Sequence, residues 1–271
     1  MEDIGKVLSP WAEGMLDLHH INTGRGDAAL FVFPDGTTML LDAGELDPTI
    51  PRTNSPRNAR ARPNSTRPPY EWIVRYIRQM SPKSTLDYGL ITHFHDDHCG
   101  AVHKLAPLAP CGAYRLIGLT GVGHLIPIRT LIDRGFPNYD SPVALDGKEV
   151  QSLVQQNPHL APAVDKVSAA LQNYRQFSTW QRANNGMTVE QIEVGRNDQI
   201  VPARRPDGYD VEVRNIAANG SVWTGQGTDT QSYFPARSAL GPHISQLENL
   251  CSIAVRLRYG KFDYFNGGDI T

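Results

Sequence analysis

The sequence predicts an α/β layered fold, and three observations carry that prediction. Short apolar segments separated by Gly-rich or Pro-Asp-Gly turns open the chain, strand-like and helix-like patterns then alternate along it, and an alternating hairpin closes it.

Leu16 to Ile21, Ala28 to Phe33 and Thr38 to Leu41 have strand length and strand composition. Gly24 and Gly26 interrupt the first two, and Pro34-Asp35-Gly36 is a hairpin signal before the third. From Leu46 to Pro69 the composition turns to Pro, Asn, Ser and Arg, which predicts a long loop. Tyr70 to Met80 then has apolar residues at helical spacing, with Arg75 and Arg78 on another face. Leu86 to Ile91 reads as a buried strand. Ala101 to Leu105 reads as the start of a short helix, Tyr114 to Leu119 as a strand, and His124 to Arg134 as a helix. Ala161 to Arg182 is a stronger helix, because Val164, Val167, Ala170, Leu171, Tyr174 and Phe177 fall near one stripe. Strands return at Thr188 to Val194 and Val211 to Ala217. Leu250 to Phe265 alternates apolar and polar residues around Gly260 and predicts a hairpin with Asp269 just past it. The expected organisation is one domain over 1–271, with the Arg/Pro-rich loop at 46–69 and a partly helical insertion at about 121–185.

A chain of 271 residues that is 40% hydrophobic and 20% charged can bury a large core. No apolar run approaches the roughly 20 residues that a spanning helix needs, so no membrane association is expected. Met1 to Gly14 lacks a basic start followed by an apolar block, and the expected compartment is the cytoplasm unless a leader has been removed. A net charge of −2 argues against a surface that attracts nucleic acid everywhere, although Arg52, Arg57, Arg60, Arg62 and Arg67 make one local basic cluster. That cluster has two readings, a phosphate-contacting overhang or a flexible solvated insertion. Cys99, Cys111 and Cys251 form no Cys-x-x-Cys pair, which disfavours a thiolate zinc knot, and Cys99 is read as packing.

The segment Thr92-His93-Phe94-His95-Asp96-Asp97-His98 packs three imidazoles and two carboxylates directly after a buried strand. Burying so many polar groups without partners is costly, and a metal ion satisfies them together. In an extended loop His93 and His95 point the same way, so both can bind one ion, while Asp97 and His98 are offset toward a second position.

The spacing His-x-His-x-Asp-His resembles the signature of the metallo-β-lactamase superfamily. Leu16 to Ala28 followed by Met39 to Gly44 looks like the opening of the branch related to bacterial competence-protein metallo-hydrolase domains, and Gly267-Gly268-Asp269 looks like the point where the superfamily supplies its bridging aspartate. The resemblance implies an αββα sandwich. It also implies an incomplete one: members continue past this aspartate into more strands, a helix and a last histidine, so the second sheet is expected to leave apolar surface and a strand edge through which chains could associate.

By the same resemblance His93 and His95 belong to site one, Asp97 and His98 to site two, and Asp269 bridges them. A third site-one histidine is expected from the middle of the chain, with His243 as the candidate. Zn²⁺ is the default for such nitrogen and oxygen donors, two ions being expected and Mn²⁺ or Fe²⁺ being possible substitutes. Such ions make hydroxide available at neutral pH. Counting only Asp97, Asp269 and that hydroxide against two divalent ions leaves positive charge, which favours an anionic substrate. Asp97 is then the catalytic residue that orients the nucleophile. Asp42 has two readings, support of the site from behind or a turn cap. Arg25 is a candidate substrate contact; Tyr233-Phe234 and Trp223 could line a pocket or sit in core. His19 and His20 read as sheet residues. Asn22 replaces the aspartate common in this branch.

The expected function is therefore a metal-dependent hydrolase acting on a phosphodiester or other anionic ester, small molecule or nucleic acid. The alternatives are a hydrolase of a lactam, lactone or thioester, a non-catalytic metal-binding or regulatory scaffold, and a structural zinc site.

Overall fold

The computed structural model describes residues 8–145, 147–204, 210–235 and 247–270. Six strands, β1 (Asp17–His20), β2 (Ala29–Val32), β3 (Thr38–Leu41), β4 (Leu86–Leu90), β5 (Ile128–Asp133) and β6 (Thr188–Gln191), make one sheet in sequence order. The first three pair antiparallel and the rest parallel, so the sheet is mixed.

Both faces of this sheet are covered, and this explains why Ala28 to Phe33 is a continuous apolar run. Leu30, Val32, Leu40 and Leu131 point into one core with the helices. Ala29, Phe31, Met39, Leu41 and Ile132 point the other way, into a second core. Helix α1 (Pro69–Met80) starts on a proline at its first position and buries Tyr70, Ile73, Val74, Ile77 and Met80 against the first core. The one-turn α2 (Asp96–Cys99) follows β4, and α3 (Gly118–Leu125), α4 (Lys148–Gln156) and the long α5 (Ala161–Asn185) precede β5 and β6 as the order of the sheet requires. Tyr174 and Phe177 of α5 are fully buried, each such aromatic contributing a few kcal/mol by leaving water.

The second core is closed by a five-stranded antiparallel sheet. It is built from β7 (Val211–Ala218), β8 (Ser221–Trp223), β9 (Thr230–Ser232), β10 (Ala254–Tyr259) and β11 (Phe262–Asn266), in the order β11-β10-β7-β8-β9, with the short α6 (Leu247–Leu250) before β10. Val213, Val255 and Leu257 meet the first sheet. The described layers are therefore helices, mixed sheet and antiparallel sheet.

Three sequence expectations are corrected. No helix forms at 101–105; Tyr114 to Leu119 contributes one isolated bridge, Leu108 to Arg115, before α3 begins; and 124–134 is the end of α3 followed by β5. The last error has a physical cause: an interior parallel strand buried on both faces carries no period-two signal, and Leu131 and Ile132 enter different cores. The stretch 121–185 thus includes a member of the main sheet.

The outer face of the second sheet is largely charged, whereas its edge strand β11, which has one strand neighbour among the described residues, carries exposed apolar side chains. Arg214 and Arg256 both bond to Glu212, Arg258 pairs with Asp263, and Arg214 lies 4.5 Å above the Trp223 ring. Phe262 and Phe265 of β11 are 48% and 60% exposed. Among the described residues no helix is long and apolar enough to cross a membrane.

Candidate metal centre

The motif lies where β4 ends and α2 begins, and backbone contacts from three chain segments hold it. Asp27 donates its N–H to the Asp97 carbonyl, Ala43 to that of His98 and Glu45 to that of Asp96, at 2.7–2.9 Å. Gly44 is required at this crossing, since a Cβ there would overlap the Asp97 carbonyl. Behind the loop, Phe94 donates its N–H to Glu248 Oε2 at 3.0 Å, and Glu248 is gripped by the buried Arg134.

Asp269 arrives from the far end of the chain. Its N–H donates to Ser252 Oγ at 3.2 Å, and Ile253 donates to the Thr92 carbonyl at 3.0 Å, so the turn after β11 is seated on the residue preceding His93. Gly268, with φ of 52°, takes the left-handed conformation there, and a Cβ would come within 2.9 Å of Thr92 Cβ.

Two groups of three donors result. His93, His95 and Asp269 form one, and Asp97, His98 and Asp269 the other; within each group the ligand-type atoms lie within 4.8 Å of one another. His93 Nε2 is 3.0 Å from His95 Nδ1, close to the roughly 3.3 Å that two nitrogens on one tetrahedral zinc would show. His98 Nε2 is 3.4 Å from Asp269 Oδ1. The donor set therefore fits divalent cations, with Asp269 common to both groups.

Asp42 has a clear place. At φ of 57° it turns its buried carboxylate to accept from Thr92 N, Thr92 Oγ1 and His98 Nδ1, each at 2.8 Å. Turn cap and support of the site are the same act. With its proton given to Asp42, Thr92 Oγ1 accepts from His93 Nδ1 at 3.1 Å, and this network leaves Nε2 of His93 facing His95 and Nε2 of His98 facing Asp269. Burial, helped by the neighbouring His98, His95 and Arg134, holds the His93 pKa far below its ordinary value. For His98 burial also acts downward, but the carboxylates of Asp42, Asp97 and Asp269 outweigh it and raise the pKa to about 9.

The remaining expected residues are used differently. The Arg25 guanidinium donates to the carbonyls of Thr53 and Ala59, at 3.2 and 2.7 Å, and to Asn54 Oδ1, so it ties down the 46–69 loop. His243 lies outside the described residues. Cys99 packs in the core and joins neither donor group, its thiol pKa raised well above normal by burial. Asp96 turns away to Lys166. His19 and His20 contact Tyr76 and Tyr264 as sheet residues. Trp223 stacks under arginine on the outer face and Tyr233 is exposed, so neither lines this site.

One residue escaped sequence reasoning. Asp27 Oδ2 lies 3.9 Å from His98 Nε2, and Asp27 lines a cavity of about 300 Å³ with Asn22, Asp42, His98 and Gly268. The Asp27 side chain is 77% exposed, yet partial desolvation at the cavity wall, and then the nearby Asp42, Asp97 and Asp269 against the pull of His98, raise its pKa. Its signal was its place in Gly24-Arg25-Gly26-Asp27, a turn that must return to the motif. Asp27 and Asp42 add two negative charges to the sequence-based tally, which removes the surplus positive charge it found.

A larger cavity, about 850 Å³, lies along α5 between Ala113, Tyr139, Leu145 and Trp180, and among the described residues no metal-type cluster lines it. Comparison of the chain with models of known families and with curated proteins gives no match.

Proposed function

We propose that the chain is a metallo-β-lactamase-like hydrolase with a two-ion centre, acting on a phosphodiester or other anionic ester. The single observation that carries this reading is the sharing of Asp269 between two three-donor groups, His93 with His95 and Asp97 with His98. The helix-sheet-sheet layering, with the donors at one end of the paired sheets, is in keeping with the sandwich that the motif implies.

Divalent ions held there would supply Lewis acidity and a water acidic enough to ionise near pH 7. The chain's own residues do the rest. His93 and His95 present nitrogen lone pairs from one side, Asp97 and His98 from the other, and Asp42 with Thr92 fixes the ring orientations. Asp97 and Asp27 are the carboxylates placed to orient a water or hold its proton. The mixture of three imidazoles with carboxylates differs from the cysteine-rich closed sites that serve structure alone. Arg60, Arg62 and Arg67 line cavities that share no residue with the donor groups, so the assignment of an anionic ester rests on the resemblance that the motif carries.

The test is hydrolysis by the zinc-reconstituted protein of a bis-aryl phosphodiester, single-stranded nucleic acid and a β-lactam. Cleavage of the phosphodiester, lost in Asp97→Ala, is the expected result. Cleavage of the lactam alone would remove the phosphodiester assignment, and no cleavage with two ions bound would favour a binding scaffold.

A further inference from the structure

A cavity of about 430 Å³ lies under the Arg/Pro-rich loop, on the other side of the segments that wall the metal centre. Residues 23 and 25 and Glu45 line it, whereas 22, 26, 27 and 42 line the metal-side cavity, so the same two strand-end loops serve both. Its floor is chemically unusual. His103 is 91% buried, neither ring nitrogen has a hydrogen-bond partner among the described residues, and its Nε2 is 3.9 Å from Glu45 Oε1, too far to bond. Trp72 lines the same cavity, and its buried indole N–H also finds no acceptor among the described residues. Glu45 is itself buried, its other oxygen accepting from Gly118 N at 3.0 Å.

Buried polar atoms are nearly always satisfied, so two unpaired side chains lining one cavity point to a ligand. Their chemistry narrows it. An imidazole offers one donor and one acceptor, the indole a donor and the carboxylate an acceptor, which matches a planar heterocycle with both kinds of edge atom. The rings of Trp72 and Tyr70 supply flat apolar wall. Arg67 and Arg62 lie at the rim. Arg67 bonds to Glu71 at 2.6 Å with its guanidinium 5.8 Å from the Trp72 ring, while the Arg62 side chain has no charged partner among the described residues.

We propose that this pocket binds a nucleotide, with the base against His103, Glu45 and Trp72 and the phosphate at Arg62 and Arg67. The inference goes beyond the phosphoester reading and stands apart from it, since no residue of either donor group lines this pocket.

The experiment is titration of the full chain with each of the four ribonucleoside 5′-monophosphates, the four nucleosides and inorganic phosphate, followed by tryptophan fluorescence and calorimetry. At least one nucleotide is expected to bind at least tenfold more tightly than phosphate or its own nucleoside. His103→Ala should weaken it about tenfold or more, whereas His103→Gln, which keeps a donor and an acceptor, should lose less. Because the His103 ring has no hydrogen-bond partner among the described residues, the thermal midpoint of His103→Ala should stay near that of the wild type. Asp97→Ala separates the two readings. Nucleotide binding retained there supports the pocket even if no hydrolysis is found, and binding lost there places the ligand on the metal donors and overturns it. Equal affinity for nucleotide and phosphate, or unchanged affinity in His103→Ala, also overturns it.

Discussion

Asp42 Oδ2 lies 2.8 Å from His98 Nδ1, a contact between buried side chains 56 positions apart in the chain. The carboxylate fixes which nitrogen of His98 faces Asp269 and also anchors Thr92, on which His93 leans. Asp42 therefore acts on both donor groups without belonging to either.

From this, Asp42→Asn should lower zinc affinity about 10–100-fold, the usual loss when a partner of a ligating histidine is removed. Competition with a chromophoric chelator measures it. Affinity within twofold of the wild type would show that Asp42 is only a turn cap.

The ion pair of Arg134 with Glu248 is buried on both sides and reaches the motif through Phe94 N. Removing one charge strands the other, at a cost of about 3–5 kcal/mol. Glu248→Gln is expected to show a loss of this size in urea unfolding, and Arg134→Met with Glu248→Gln together should recover part of it.

Gly44 crosses the Asp97 carbonyl with no room for a side chain. Gly44→Ala must push the two loops apart, at about 1–3 kcal/mol. Thermal melting should fall, and the zinc held through Asp97 and His98 should weaken more than that held through His93 and His95.

Away from the centre, Glu212 offers a pH test. Hydrogen bonds from Arg214 first, then Asn197 and Arg256, outweigh its burial and lower its pKa from 4.5 to about 2. A depressed carboxylate stabilises the fold above its unfolded pKa and loses that contribution as pH falls through the folded one. The Glu212 side chain is 28% exposed and its partners lie on the sheet's outer face, so the effect is about 1 kcal/mol. Melting curves of the wild type and Glu212→Gln should differ at neutral pH and converge between pH 4.5 and 2; a constant gap would contradict the assignment.

Much of this was legible because it is local. Turn residues fixed β1 to β3, helical spacing fixed α1 and α5, and alternation fixed the β10–β11 hairpin. The meeting of His93, His95, Asp97, His98 and Asp269 followed from motif order and from the resemblance that motif carries. What stayed hidden depends on tertiary placement. β5 is buried on both faces and has no period, Arg25 is consumed by carbonyls of a loop whose path the sequence does not give, and the role of Asp27 appears only when its turn folds back on Asp97. The corrected charge balance follows from the same placement.

The central claim is that Asp269 is shared by two cation sites, and metal counting with site variants tests it most directly. The full chain loaded with zinc and freed of excess should hold two equivalents by elemental analysis. His93→Ala should keep the ion at Asp97 and His98, and Asp269→Ala should fall below one. Two equivalents retained in Asp269→Ala, or one or none in the wild type, would contradict the account.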